Sequence, residues 1–120
     1  FIVVRDRDTL DRLAGTHTFA SPLTRAPLGI VVCGEPALSE YWVQDTSAAT
    51  ENILLAAAAL GLGSVWIGVH PKPEREAHVR DVLGIPEEIT PLNLIAIGHP
   101  AESRPPRTQF DPSRVHYEKF

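Results

Sequence analysis

The sequence predicts a layered fold of the α/β or α+β class, built around a single sheet. Short apolar runs typical of strands alternate along the chain with longer stretches that carry helical spacing of apolar residues. The 11 Pro among 120 residues indicate many punctuated loops between these elements. With 43% hydrophobic and 22% charged residues, the chain has the composition of an ordered domain, and its length suits one domain.

Four apolar runs are predicted as strands. The first run opens the chain, and three of its four residues are β-branched, which is typical of a buried strand. The strands are predicted at residues 1–4, 28–33, 64–67 and 92–98. Because the chain starts inside a strand and its first residue is Phe1 rather than Met, we expect a segment upstream and therefore an N-terminally incomplete domain.

Three helices are predicted between these strands. Asp8 is expected to cap the first, which ends at Gly15. The second covers residues 41–60, and its second half is apolar nearly all round, so we expect it to be central and buried. The third begins at Pro73 and ends at Gly84, because Pro suits a first helical turn and Gly a helix end. Residues 16–27 are predicted to form a loop.

Composition and charge exclude several functional classes. The net charge is −4, and no basic stripe of the kind needed for nucleic-acid binding is present. The longest strongly apolar run, residues 53–60, is too short to span a membrane. The single Cys33 allows no internal disulfide, is expected to be a small buried hydrophobe, and favours a reducing, cytoplasmic location.

Metal binding is not predicted either. The five His stand in no spacing typical of metal ligands, and each is expected to lie at the surface.

The segment GLGSVWIG, residues 61–68, ends a helix and opens a strand, which is the reverse of a dinucleotide-binding loop. After it, Trp66, Ile67, Gly68 and Val69 place an aromatic and an aliphatic residue before a Gly that permits close backbone approach. This pattern is compatible with a floor for a flat ligand. Core packing of Trp66 is the alternative, and residue type alone favours it.

Taken together, several segments in order resemble the nitroreductase family of FMN-dependent enzymes. The main segment is YWVQDTSAATENILLAAAALGLGSVWIG, residues 41–68. It is followed by LGIP at residues 83–86, IAIGHP at residues 95–100 and HYEKF at residues 116–120. No single segment is specific, but their order and spacing are, and the match runs from residue 41 to the C-terminus, about two thirds of the chain.

The resemblance implies a three-layer α-β-α sandwich of the α+β class and an intertwined homodimer with FMN at its interface. On this basis residues 1–98 form the sheet-and-helix core. Residues 99–120 form an extended tail that is expected to cross to the partner subunit.

The resemblance also assigns site residues. Trp66, Ile67, Gly68 and Val69 would pass beside the flavin, with Gly68 and Val69 presenting backbone N–H groups to its reactive edge. Such donors would favour the reduced, negatively charged flavin. No side chain is assigned as a catalytic acid or base, because the flavin carries the chemistry.

Phosphate binding is assigned to the tail. Arg107 matches one basic residue of the family, whereas Gln109 stands where a second is expected. The family's N-terminal Arg-x-Ser and Asn-x-Gln-Pro stretches are absent from the sequence.

The implied activity is hydride transfer from NAD(P)H through FMN to a small-molecule acceptor such as a nitroaromatic or a quinone. Two alternatives stay open. The first is a non-catalytic dimerising or flavin-binding remnant. The second is a flavin enzyme of the dehalogenating or flavin-cleaving branch of the family.

Overall fold

A computed structural model of the chain describes residues 1–103, 105 and 108–120. In chain order the elements are β1 (Ile2–Val4), α1 (Arg7–Ala14), a 3₁₀-helix (Thr18–Thr24), β2 (Leu28–Gly34), α2 (Trp42–Ala59), β3 (Gly63–Gly68), α3 (Pro73–Leu83), β4 (Thr90–Gly98) and a second 3₁₀-helix (Pro112–Arg114). The predicted strands and helices are thus present. The predicted loop at residues 16–27 also contains the first 3₁₀-helix, whose Ala20 and Leu23 are buried.

The strands form one antiparallel sheet in the order β1-β2-β4-β3. β4 lies inside the sheet, and residues 91–97 are buried because strands flank both of its sides and helices cover both of its faces. Among the described residues, β3 lies at the edge of the sheet and pairs only with β4. One side of β3 is therefore free to meet another molecule.

Successive residues of β4 divide the interior into two cores. Leu94 and Ala96 pack with residues of α1, α3 and the first 3₁₀-helix. Ile95 and Ile97 face the other way and pack with α2. Because side chains alternate across a strand, helices cover both faces of the sheet. The predicted three-layer α-β-α arrangement of the α+β class is confirmed.

The start of α1 corrects the prediction of its N-cap. Asp6, not Asp8, is the cap, and its side chain accepts hydrogen bonds from Thr9 Oγ1 at 2.6 Å and Thr9 N at 2.8 Å. These two hydrogen bonds, the side-chain one first, lower the pKa of Asp6. Asp8 lies in the first turn, where a carboxylate favours the positive end of the helix dipole.

Two predictions of burial are wrong within this chain. Val3 of β1 is 58% exposed, because β1 lies at the edge of the sheet and only alternate residues face the core. In the second half of the predicted helix at residues 41–60, Leu55 of α2 and the C-cap residue Leu60 are 59% and 76% exposed. Only one face of α2 rests on the sheet, so its other face presents apolar side chains outward.

The ends of α2 and α3 agree with the prediction to within one residue, whereas β4 begins at Thr90, two residues earlier than predicted. Gly84 ends α3 with a left-handed φ of 65°, a conformation that favours Gly.

Burial raises the pKa of the half-buried Cys33 thiol, consistent with its predicted structural role. In the part of the chain that the structure describes, every tail residue from 99 onward is exposed, and no helix is long and apolar enough to cross a membrane.

Candidate functional site

The last residues of β3 alternate between the two faces of the sheet. Ile67 and Val69 are buried in the core formed with α1 and α3. Trp66 pairs with Ile95, which faces α2, so Trp66 and Gly68 lie on the α2 face. Trp66 remains 37% exposed, so it is not a core residue of this chain. Core packing, which residue type alone favoured, is therefore incomplete within this chain, and the floor for a flat ligand stays a prediction.

The hydrogen-bonding phase of β3 decides which backbone groups are free. Val69 N donates to Leu92 O at 3.1 Å. Bonded and non-bonded pairs alternate along an antiparallel ladder, so the neighbouring pair, Gly68 and Asn93, is non-bonded. The N–H and C=O of Gly68 therefore point to the free edge of the sheet. Of the two predicted backbone donors, Val69 is already engaged and Gly68 is open.

Open space surrounds Gly68 as well. A Cβ built on it meets no atom within 4 Å among the described residues, and its φ is not positive. The absence of a side chain here is therefore required neither by close packing within this chain nor by backbone conformation. Both observations fit a residue that leaves room for a ligand against its backbone.

Arg75, in the first turn of α3, contacts the same residue. Its Nη1 donates to Gly68 O at 3.0 Å. His17 lies close by, and its pKa is lowered first by burial and then by the positive charge of Arg75, with an opposing effect from the Gly68 backbone. No motif of the sequence indicated Arg75. The available signal was a cation in a helical first turn, where the dipole disfavours it.

His70 and Glu76 form a second contact between the end of β3 and α3. His70 Nδ1 lies 2.8 Å from Glu76 Oε1, and both side chains are mostly buried. The His70 ring also meets the ring of Trp42 edge-on at a centroid distance of 4.7 Å. The predicted surface placement is wrong for His70, because this pair and the aromatic contact hold its ring.

The other four His side chains differ in their exposure to solvent. His17 and His78 are only partly exposed, whereas His99 and His116 are exposed, as the predicted surface placement requires. Among the residues that the structure describes, no group of three or more His, Cys, Asp or Glu side chains could hold a metal ion.

Behind Gly68, a buried polar contact joins α2 to β4. Thr50 Oγ1 donates to Thr46 O at 2.7 Å and accepts from Asn93 Nδ2 at 2.8 Å. Thr50 and Asn93 are fully buried. Because Asn93 is the cross-strand neighbour of Gly68, this contact fixes the strand that supports the open position.

The predicted phosphate contact, Arg107, lies outside the described residues. Gln109 is described and exposed. A wide groove of about 910 Å³ lies at the other end of β3, between Gly63, Pro27 and the first tail residues. None of Trp66, Ile67, Gly68 and Val69 lines it, so the groove is separate from the predicted cofactor contacts.

Comparison with known proteins identifies the family. The profile of the Nitroreductase family matches residues 2–99. The chain belongs to the nitroreductase family. This membership makes it an oxidoreductase by family and confirms the resemblance on which the fold was predicted.

Two similar nitroreductase-family sequences come from archaea, and the names of both provisionally describe an NADH dehydrogenase/NAD(P)H nitroreductase. The relative from Archaeoglobus fulgidus is 48% identical over 127 residues, which cover 100% of this chain and 73% of the relative. The relative from Methanothermobacter thermautotrophicus is 44% identical over 123 residues, covering 100% of this chain and 64% of the relative. The chain thus spans about two thirds to three quarters of the length of these relatives.

Solved nitroreductase structures match the same fold. A protein from Bacteroides thetaiotaomicron, provisionally named as an NADH dehydrogenase/NAD(P)H nitroreductase, is 43% identical with a TM-score of 0.95. That match covers 99% of this chain and 71% of the other. An FMN-dependent nitroreductase from Clostridium difficile is 31% identical with a TM-score of 0.92, covering 99% of this chain and 74% of the other.

Proposed function

We propose that the protein is an FMN-dependent oxidoreductase that passes a hydride from NAD(P)H to a nitroaromatic, a quinone or a similar acceptor. The observation that carries this proposal is the open backbone N–H of Gly68 at the free edge of β3 in a nitroreductase-family chain. The FMN-dependent relative from Clostridium difficile supports the choice of cofactor.

The described residues fit a flat cofactor at this edge. The ring would lie against Gly68, where no side chain intervenes, with Trp66 on the same face of the sheet. Gly68 would donate its N–H to the ring, and Arg75 fixes the orientation of the Gly68 carbonyl. Ile67 and Val69, anchored in the core, hold this stretch rigid. FMN, when bound, supplies the hydride chemistry.

Phosphate binding by Arg107 is part of the same proposal. A planar guanidinium can bind two phosphate oxygens at once, which makes Arg a good anchor. If this role is right, Arg107→Ala weakens FMN binding by about 1.5–3 kcal/mol, the usual range for charged hydrogen bonds. Unchanged affinity in a fluorescence titration would assign Arg107 to the solvated surface.

We also propose that the protein acts as a homodimer. The outward face of α2 carries Leu55, Leu60 follows the helix as its C-cap residue, and the tail carries Phe110, Tyr117 and Phe120, all largely exposed. A second copy would remove this apolar surface from water, which is favourable at roughly 25 cal/mol per Å². An apolar cleft of about 250 Å³ between α2 and the sheet would receive a side chain of the partner or of its tail.

The decisive experiment is purification of the protein with any residues encoded upstream of Phe1. We expect a flavin absorption spectrum, FMN after denaturation, a dimeric mass by light scattering, and bleaching of the flavin by NADH or NADPH under anaerobic conditions. Re-oxidation by a quinone or a nitroaromatic completes the turnover. A colourless protein that does not bind added FMN contradicts the proposal.

The same preparation separates the alternatives. A non-catalytic remnant would bind FMN without oxidising NAD(P)H. A flavin-cleaving enzyme would consume FMN, which chromatography of the released cofactor detects. A dehalogenating enzyme would release halide from a halogenated substrate. Fractionation of the producing cells tests the cytoplasmic location that the single Cys favours.

A further inference from the structure

The guanidinium of Arg75 lies at the free edge of β3, next to the open position at Gly68. Its Nη1 is 3.0 Å from Gly68 O. In an extended residue the N–H and C=O point to the same side, with N and O about 3 Å apart. A ligand atom hydrogen-bonded to the Gly68 N–H would therefore lie roughly 3–6 Å from the guanidinium, depending on how far the two bonds splay apart.

The charge of Arg75 is not balanced by an ion pair. In the described ranges, no carboxylate lies within 4 Å of its guanidinium, and the neighbouring Glu76 is engaged with His70. His17 also lies near this charge, since burial first and then the charge of Arg75 lower the pKa of His17. Its first-turn position in α3 opposes the helix dipole, so local helix energetics do not account for a cation there.

We propose that Arg75 is a positioning residue that favours the reduced, negatively charged state of the cofactor bound at Gly68. This inference rests on the proposed function. It assigns to α3 a positive charge near the cofactor, in addition to the backbone N–H donor that β3 provides. A fixed positive charge within about 6 Å of developing negative charge is more stabilising in a partly buried site than in water. The hydrogen bond to Gly68 O holds the charge in place before reduction occurs.

The test is the two-electron midpoint potential of bound FMN in the full protein. In Arg75→Gln we expect the preference for reduced over oxidised FMN to fall about tenfold, which lowers the potential by about 30 mV. Arg75→Lys, which keeps the charge, should fall between the two. Arg80→Gln is the matched control, because Arg80 is on the same helix but donates to the carbonyls of Ile85 and Pro86. Its potential should equal that of the unmodified protein.

A bound FMN whose potential is the same in Arg75→Gln and in the unmodified protein overturns the inference while leaving the proposed function intact. Failure of the unmodified protein to bind FMN overturns the proposed function instead. If Arg75→Gln does not fold, Arg75→His gives the comparison within one protein, since its imidazole is charged at pH 5.5 and neutral at pH 8.5. Its potential, relative to the unmodified protein at the same pH, should be normal at pH 5.5 and lowered at pH 8.5. An equal difference at both pH values contradicts the inference.

Discussion

Adding a single methyl group at Gly68 separates a role in folding from a role in cofactor binding. The Cβ of Gly68→Ala meets no atom within 4 Å in this chain, and the backbone φ is not positive. The substitution therefore has no steric cost in the chain itself. It reduces the freedom of the unfolded chain, which stabilises the folded state by about 0.4–1 kcal/mol. For a domain of this size, that raises the melting temperature by roughly 2–4 °C.

The same methyl group would occupy the space where the cofactor ring meets the backbone. Displacing the ring lengthens its hydrogen bond to the Gly68 N–H, which contributes about 0.5–1.5 kcal/mol, and adds a steric cost. We expect the Kd for FMN to rise at least about tenfold, or 1.4 kcal/mol. Gly68→Val, with two more methyl groups in the same space, should bind more weakly still.

Two measurements on the same samples suffice: thermal unfolding of the cofactor-free protein and a fluorescence titration with FMN. Gly84→Ala is the matched control, because Gly84 has a φ of 65° and ends α3. A non-Gly residue there costs about 1–2 kcal/mol, so its melting temperature should fall while its Kd for FMN stays unchanged. An unaltered Kd in Gly68→Ala would place the ring elsewhere and refute the reasoning.

Three further predictions concern stability and assembly. Thr50→Val leaves the buried Nδ2 of Asn93 without its acceptor, which should lower the free energy of unfolding in chemical denaturation by about 1–3 kcal/mol. Adding Asn93→Leu removes both partners and should recover much of that loss. Equal losses in the single and double variants would show that the two residues are not coupled. Asp6→Ala should lower the melting temperature at pH 7 more than Asp8→Ala does, because Asp6 is the N-cap of α1. Since the folded-state pKa of Asp6 is lowered, this contribution is present above the unfolded value of 3.8 and is lost as pH falls through the folded-state value, so the two variants should converge in strong acid. Leu60→Glu, at a position 76% exposed, should leave secondary structure intact by circular dichroism but halve the mass seen by light scattering; a retained dimer would move the interface away from α2.

Local patterns in the sequence were sufficient for the four strands and the three longer helices and for most of their ends. Gly84 ends α3 where the sequence indicated, because few other residues adopt a left-handed φ. The N-cap of α1 was misplaced by two residues, because Asp6 and Asp8 are the same residue type and only the contact with Thr9 distinguishes them. The order of the strands could not be derived from periodicity, and only the three-layer arrangement followed from the resemblance to the family.

The candidate site was predictable only along one strand. The sequence pointed to Gly68 through the family's motif. It did not show that the N–H of Val69 donates to Leu92 O, because that depends on which residues of β3 and β4 form the hydrogen-bonded pairs. Arg75 and His17 contact Gly68 from different elements of the chain. Contacts between distant elements cannot be predicted from the periodicity of the sequence. The exposure of Val3 and Leu60 was missed for a related reason, since an apolar pattern does not tell whether its own chain or a second one covers it.

The free edge of β3 has a consequence for solubility. An edge strand presents a row of outward N–H and C=O groups on which a strand of another molecule can add, the first step of sheet-to-sheet aggregation. Because the carbonyl of Gly68 already accepts from Arg75, it is less available to an incoming strand than the other outward groups of that row. The contact that would tune a bound cofactor thus also disfavours the addition of a foreign strand at this end of β3.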